Sequence, residues 1–240
     1  MKAAALLLVA LALAACESSQ ETNAKLERIA KREADNRPAA QRGLSITKLS
    51  TKLTVLATAV VGSSEGAAAI VTVRNSSATA LRGAPIAITV MGARDGSTYR
   101  NDIPGLAKPL VSLPLVPAHG ELTWVDDQIP AGSYLASPSA KLGEGEPTSG
   151  QTPHLTVSGI KLFDERGSEP NAEGDVISGS RKEEREVVVY AVARRGGKIV
   201  AAGSAFVPQV ATGAGTRFQL YFIGNLRGAR LQFSAVDAAA

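Results

Sequence analysis

Cysteine occurs once in 240 residues, at Cys16, so no disulfide can close within the chain and burial alone must hold the fold. Histidine occurs twice, at His119 and His154, each beside turn residues and without acidic or histidine neighbours at ligand spacing. A zinc site needs three or four converging donors and a nucleophilic triad needs an acid-oriented imidazole; these two meet neither demand. No Gly-rich phosphate loop and no Gly-x-Ser-x-Gly elbow occurs, and no basic patch is interleaved with aromatics. Phosphoryl transfer, serine-hydrolase chemistry and nucleic-acid binding are thereby disfavoured, and no catalytic, cofactor or metal residue is assigned. Aromatic residues make up 4% of the chain while hydrophobic residues reach 45%, which points to thin cores filled by small aliphatic side chains.

No apolar run is long enough to span a bilayer as a helix, which takes about 20 residues. The longest, Ala3–Ala14, instead has the form of a secretion signal: Lys2 supplies the positive start, and Ala12, Ala14 and Ala15 are small residues that a peptidase accepts beside its scissile bond. Leu13, Ala14, Ala15 and Cys16 in succession resemble the lipobox of bacterial lipoproteins. The resemblance implies cleavage before Cys16, a diacylglycerol on its sulfur and acylation of the new amine. A cysteine suits that role because its thiolate is a strong nucleophile that forms a stable thioether. Acyl burial contributes about 0.8 kcal/mol per CH₂, so two or three chains give a lasting anchor. Glu17 stands where members retained in the inner membrane carry aspartate, which favours the outer membrane in an organism that has one. The expected location is therefore the cell membrane or outer membrane, on the exported side.

Charge adds little direction. The formal net charge is +4 and Lys2 would leave with the signal. A modest surplus of this kind reads as a solvated mixed surface, with only a bias toward anionic lipid or acidic glycans. Residues 16–43 are polar, and within them "NAKLERIAKREAD" sets Leu26, Ile29, Ala30 and Ala34 on one helical stripe, with Asn23 as N-cap and Pro38 as stop. Basic and acidic residues nearly balance there, so the segment reads as a stalk rather than a membrane clamp.

From Leu44 the periodicity changes from helical to alternating. "ITKLSTKLTVLATAVVG", "AAAIVTVRN", "APIAITVMGARDGSTYRND" and "ELTWVDDQI" are β-branched, period-2 runs broken by turn residues, with Asp95-Gly96 as a hairpin signal. Residues 44–129 are expected to form a first antiparallel β-sandwich, with Trp124 filling its core. Residues 130–152, dense in Pro, Gly, Ser and Thr, read as an interdomain linker. Residues 153–237 return to strands and give a second sandwich. Ile88, Val90, Arg94, Gly96 and Tyr99 have counterparts one hundred residues on in Val188, Tyr190, Arg194, Gly196 and Ile199, so the halves read as copies. The fold class is all-β: two tandem immunoglobulin-like sandwiches after a cleaved signal and a short charged stalk.

The order "VSGIKLF", "SGS", "VVVYAVARRGGKIVAAGSAFV", "TRFQLYFIG" in the second half resembles the FxLYD family of bacterial and archaeal envelope proteins. Phe218, Leu220 and Tyr221 fit the first, third and fourth positions of that motif, while Phe222 stands where an Asp is expected. The resemblance implies an immunoglobulin-like sandwich on a secreted lipoprotein and carries no activity. By alternation alone, Phe218, Leu220 and Phe222 share one face, which reads as core, and Gln219 and Tyr221 the other.

Two acidic places hold oxygen donors, Asp126-Asp127 and the stretch Asp164–Asp175, but neither has the Asp-x-Asp-x-Asp-Gly spacing that wraps calcium. Asn75-Ser76-Ser77 spells a glycosylation acceptor and reads as a strand-ending turn. The sequence thus describes a non-enzymatic, lipid-anchored envelope protein whose sandwiches space or dock. Its partners are the membrane, through Cys16, and another envelope protein. The alternative is a glycan or small-molecule binder with its site in the interdomain cleft or sandwich loops, for which Tyr99, Tyr134 and Tyr190 are the available aromatic platforms.

Overall fold

The structure is a computed structural model. It describes residues 44, 46–64, 66–92, 96–130, 136, 138–148, 152–163 and 171–238. The signal stretch, Cys16, the stalk, Asp95, Tyr134 and the acidic positions 164–170 lie outside the described residues. None of the described helices is long and apolar enough to cross a membrane.

The chain is all-β, built as antiparallel sandwiches. In the first half β1 (Leu53–Gly62), β2 (Ala67–Asn75) and β7 (Glu121–Ile129) form one sheet in the order β1-β2-β7. Opposite it, β4 (Ala84–Met91) pairs with β5 (Thr98–Arg100), β6 (Ser112–Leu113) and β8 (Ser139–Leu142), and β3 (Ala80–Arg82) pairs with β9 (Glu146–Thr148). A single helical turn, α1 (Lys108–Val111), lies between β5 and β6. In the second half β10 (Leu155–Phe163), β11 (Asn171–Ser178) and β14 (Gly215–Tyr221) form a sheet in that order. It faces β15-β13-β12-β16, formed by Ile223–Gly224, Lys198–Val210, Glu184–Arg195 and Arg230–Asp237 respectively. The same arrangement thus recurs: β1-β2-β7 is matched by β10-β11-β14, and the β4–β5 hairpin with β8 beside it is matched by β12–β13 with β16. The two hairpin turns carry Gly96 at φ 66° and Gly196 at φ 57°, a conformation open to glycine at no steric cost.

The first core is closed by Ile86, Ile88 and Val90 of β4 against Val71, Val73, Leu122 and Trp124. Trp124 is fully buried and its indole nitrogen donates to the Pro109 carbonyl at 2.7 Å, so the largest side chain of the chain fills the core without leaving a polar atom unpaired. Buried Asn75 and Asn101 are likewise satisfied. Asn101 accepts from the Ile88 amide and donates to the Ile86 and Leu110 carbonyls, tying α1 to β4. Asn75 ends β2 by donating to the Thr79 and Val116 carbonyls and accepting from Ser77, so "NSS" is a turn held by its own side chains. The second core contains Phe218, Leu220 and Phe222, at 4%, 0% and 1% exposure, on the face that their alternation predicts.

Where the two halves meet, β12 is buried on both faces. Val187, Val189, Ala191 and Ala193 face Phe218 and Leu220 in the second core; Val188, Tyr190 and Val192 belong to the same apolar cluster as Ile70, Val125 and Trp124 of the first half. Strand β2 is the counterpart, with Ala67 to Val71 buried without interruption. The sheets β1-β2-β7 and β15-β13-β12-β16 therefore pack face to face as inner layers between two outer ones, and residues 43–240 form one compact unit. Small residues recur where the layers meet, at Ala67–Ala69 of β2 and Ala201–Gly203 of β13, all buried. At Gly203 an added Cβ would lie 2.0 Å from the Tyr221 carbonyl oxygen, so β14 crosses β13 at a distance no other residue permits.

One sequence expectation is corrected here. Residues 130–152 do not simply link two bodies, because β8 and β9 lie within them and pair with β4 and β3. Leu142 is buried opposite Ile86, and Gly143 and Gly145 sit against Pro85 and Ala84 at distances that a side chain would crowd. The glycines there serve close approach, not slack.

Candidate functional site

The seam between the inner sheets is where polar chemistry collects. Strand β7 carries a bulge opposite Ala68: Ala69 pairs with Asp126 and Ala67 with Ile129, so one residue more is accommodated on β7 than on β2. At this bulge Asp126 and Asp127 are aimed at different partners. Asp126, fully buried, shares the Trp124 face, accepts from the Tyr99 hydroxyl at 2.9 Å and from the Gln128 amide at 3.1 Å. Asp127 crosses the seam and accepts from the Ser204 amide at 2.6 Å and the Ser204 hydroxyl at 3.0 Å.

Burial sets the electrostatics. It pushes the Asp126 carboxyl up to about 6, against the lowering effect of the Gln128 and Tyr99 hydrogen bonds and with a smaller contribution from the Asp127 charge. Burial likewise raises Asp127 above the usual carboxylate range, opposed by its two bonds from Ser204. Tyr99 is raised well above the ordinary phenol range by burial and then by Asp126. Tyr190 is raised by burial and by the charges of Asp127 and Asp126, and its buried hydroxyl has no hydrogen-bond partner among the described residues. With their donors fixed, the two carboxylates clamp β7 to β5 on one side and to β13 on the other.

Two cavities are lined from both halves, and the first includes Asp127. One, of about 640 Å³, is lined by Asp127, Gln128 and Ser204 together with apolar Phe206, Tyr221 and Ile223. Phe206 and Tyr221 are large and roughly half exposed there, at 54% and 50%. The other, of about 350 Å³, lies between Thr123 of β7 and Tyr190, Gln232 and Ser234 of the second half, with His154 at its rim.

The aromatic platforms named from sequence are placed differently. Tyr99 is turned inward onto Asp126, Tyr190 is buried in the seam, and Tyr134 lies outside the described residues. Phe206 and Tyr221 are the exposed aromatics at the larger cavity. For Tyr221 the signal was present, since alternation sets it opposite Phe218 and Phe222; for Phe206 the apolar run "AAGSAFV" gives no clue to which residue is outward. His119 and His154 are exposed and lie on separate turns. Among the described residues no three His, Cys, Asp or Glu side chains gather at metal-binding distance. Asp126 and Asp127 do not converge on one point, and the acidic stretch beyond Phe163 falls largely outside the described residues.

No family model matches the chain, and no curated protein matches it.

Proposed function

We propose that this chain is a lipid-anchored, non-enzymatic protein of the bacterial cell envelope, held at the membrane by acyl chains on Cys16 and presenting its β body as a spacer or docking module. The observation that carries the reading is the succession Leu13-Ala14-Ala15-Cys16 closing the apolar run Ala3–Ala14, with the one cysteine of the chain at the position that a lipobox reserves for its cysteine. The body suits such a role. Its two sandwiches share an apolar seam, and a rigid unit transmits a fixed distance where a hinged pair would not. The buried carboxylates are engaged by Tyr99, Gln128 and Ser204, which gives them a structural use that needs no substrate. Fractionation tests the anchor: in a bacterial host the wild-type chain sediments with membranes and Cys16→Ala does not.

One observation favours a second reading, a glycan or small-molecule site. Phe206 and Tyr221 leave large apolar faces open beside a cavity lined from both halves, the kind of platform on which a sugar ring or apolar ligand stacks. Calorimetric titration with cell-wall fragments separates the two readings. Saturable binding that Phe206→Ala and Tyr221→Ala abolish supports the binder, and recovery of one envelope protein in a pull-down supports the docking module.

A further inference from the structure

The edges of the sheets are not treated alike. Among the described residues every edge strand of three or more residues carries a charge, with one exception: β3 has Arg82, β5 Arg100, β7 Glu121, β8 Lys141, β9 Glu146, β10 Lys161, β14 Arg217 and β16 Arg230. A charge on an edge strand opposes pairing with another chain, because the incoming strand would have to desolvate it. The exception is β1, "LTVLATAVVG", ten residues with neither charge nor proline, which among the described residues pairs with β2 alone. Strand β4 is also uncharged, but it is interior, with partners along both sides.

Strand β1 has a bulge at Leu56, after which the register with β2 runs unbroken from Ala57↔Thr72 to Gly62↔Ala67. A strand edge of this regularity presents alternate N–H and C=O groups ready for a further strand. Leu56 and Ala57 are exposed at the start of the regular stretch, Leu56 at 43%. The side chains that follow, Thr58 to Val61, are uncharged and at least half-buried on both faces of the sheet, against neighbours in β8 on one side and β13 and β15 on the other. An added strand would continue both of those packed faces, so it too must be uncharged, proline-free and composed of small or β-branched residues on both sides. Among the described residues, β1 alone meets that requirement and has an edge open to supply it.

We propose that β1 is a homodimerisation edge, at which two copies of the chain pair Ala57–Gly62 antiparallel about a twofold axis and continue the inner sheet from one molecule into the next. The isologous geometry needs one self-complementary patch and closes at two copies. It is independent of the lipid anchor and of any ligand.

The test uses the full chain with Cys16→Ala in mild detergent, its mass read by sedimentation and native mass spectrometry. The expected result is a dimer. Ala57→Lys and Ala57→Glu, at an exposed position opposite Gly62 of the second copy, each put on the pairing edge a charge that the incoming strand would have to desolvate, and give monomers. Thr156→Lys on β10 leaves the dimer intact, and Leu56→Lys serves as a second breaking variant should Ala57→Lys unfold. A wild-type chain that stays monomeric overturns the proposal, as does a dimer that survives both Ala57→Lys and Leu56→Lys with the fold intact.

Discussion

Ser204 holds the Asp127 carboxylate with both its backbone amide, at 2.6 Å, and its hydroxyl, at 3.0 Å, across 77 positions of sequence. The pair joins β7 of the first sandwich to β13 of the second, and with the apolar seam beside it makes the two halves one body. A second tie runs in parallel, the ion pair from the Arg82 guanidinium to Asp237 at 2.9 Å.

Removing the acceptor leaves the Ser204 amide without its partner in a partly buried site. Asp127→Ala is expected to lower stability by about 1–3 kcal/mol, and Ser204→Ala, which keeps the amide bond, by about 1 kcal/mol. Urea unfolding of both variants checks the order; equal losses would mean that the amide bond contributes nothing.

The shared seam predicts a single transition, and the chain contains its own reporter. Trp124 is the only tryptophan and lies in the first core. Leu220→Ala, in the second core, is expected to cost about 2–5 kcal/mol and to shift the Trp124 fluorescence midpoint by as much as the circular-dichroism midpoint. An unchanged fluorescence midpoint would show that the halves unfold apart.

Asp126 makes stability depend on pH. Its folded pKa of about 6 lies above its unfolded value near 3.8, so the folded state holds its proton more tightly. Below the unfolded value both states are protonated and nothing is lost; as pH rises from about 4 to 6 the unfolded chain ionises first and stability falls; above that the penalty is complete, on the order of 3 kcal/mol. Asp127 is shifted in the same direction and adds to the fall. Asp126→Asn is expected to flatten the part of the profile near pH 6, as measured by thermal melts between pH 4 and about 8.

Much of this body is legible in the sequence, and the missing parts have a common cause. The faces of "FQLYF", the burial of Trp124 and the Asn75 turn follow from local alternation and turn chemistry, which neighbouring residues decide. The seam does not. "VVVYAVA" in β12 has no charged residue on either face and carries only the Tyr190 hydroxyl as a polar group, so its period cannot say that Val187 and Val188 serve different cores. Strands β8 and β9 are hidden by glycine and proline that mark flexible chain in composition and here permit close packing against Pro85 and Ala84. The Asp127–Ser204 bond joins residues that no spacing relates.

Close packing can be tested at one atom. Gly203→Ala would drive a Cβ into the Tyr221 carbonyl, backbone against backbone, and is expected to destabilise by about 1–3 kcal/mol or more. Gly179→Ala, whose nearest contact would be 3.4 Å, is the control and should change stability by far less.

The most direct measurement is the mass of the N-terminal peptide of the mature protein recovered from a bacterial membrane. The expected peptide begins at Cys16 and carries a thioether-linked diacylglycerol. A mature chain that begins elsewhere, or an unmodified Cys16 thiol in membrane-bound protein, would contradict the lipid anchor.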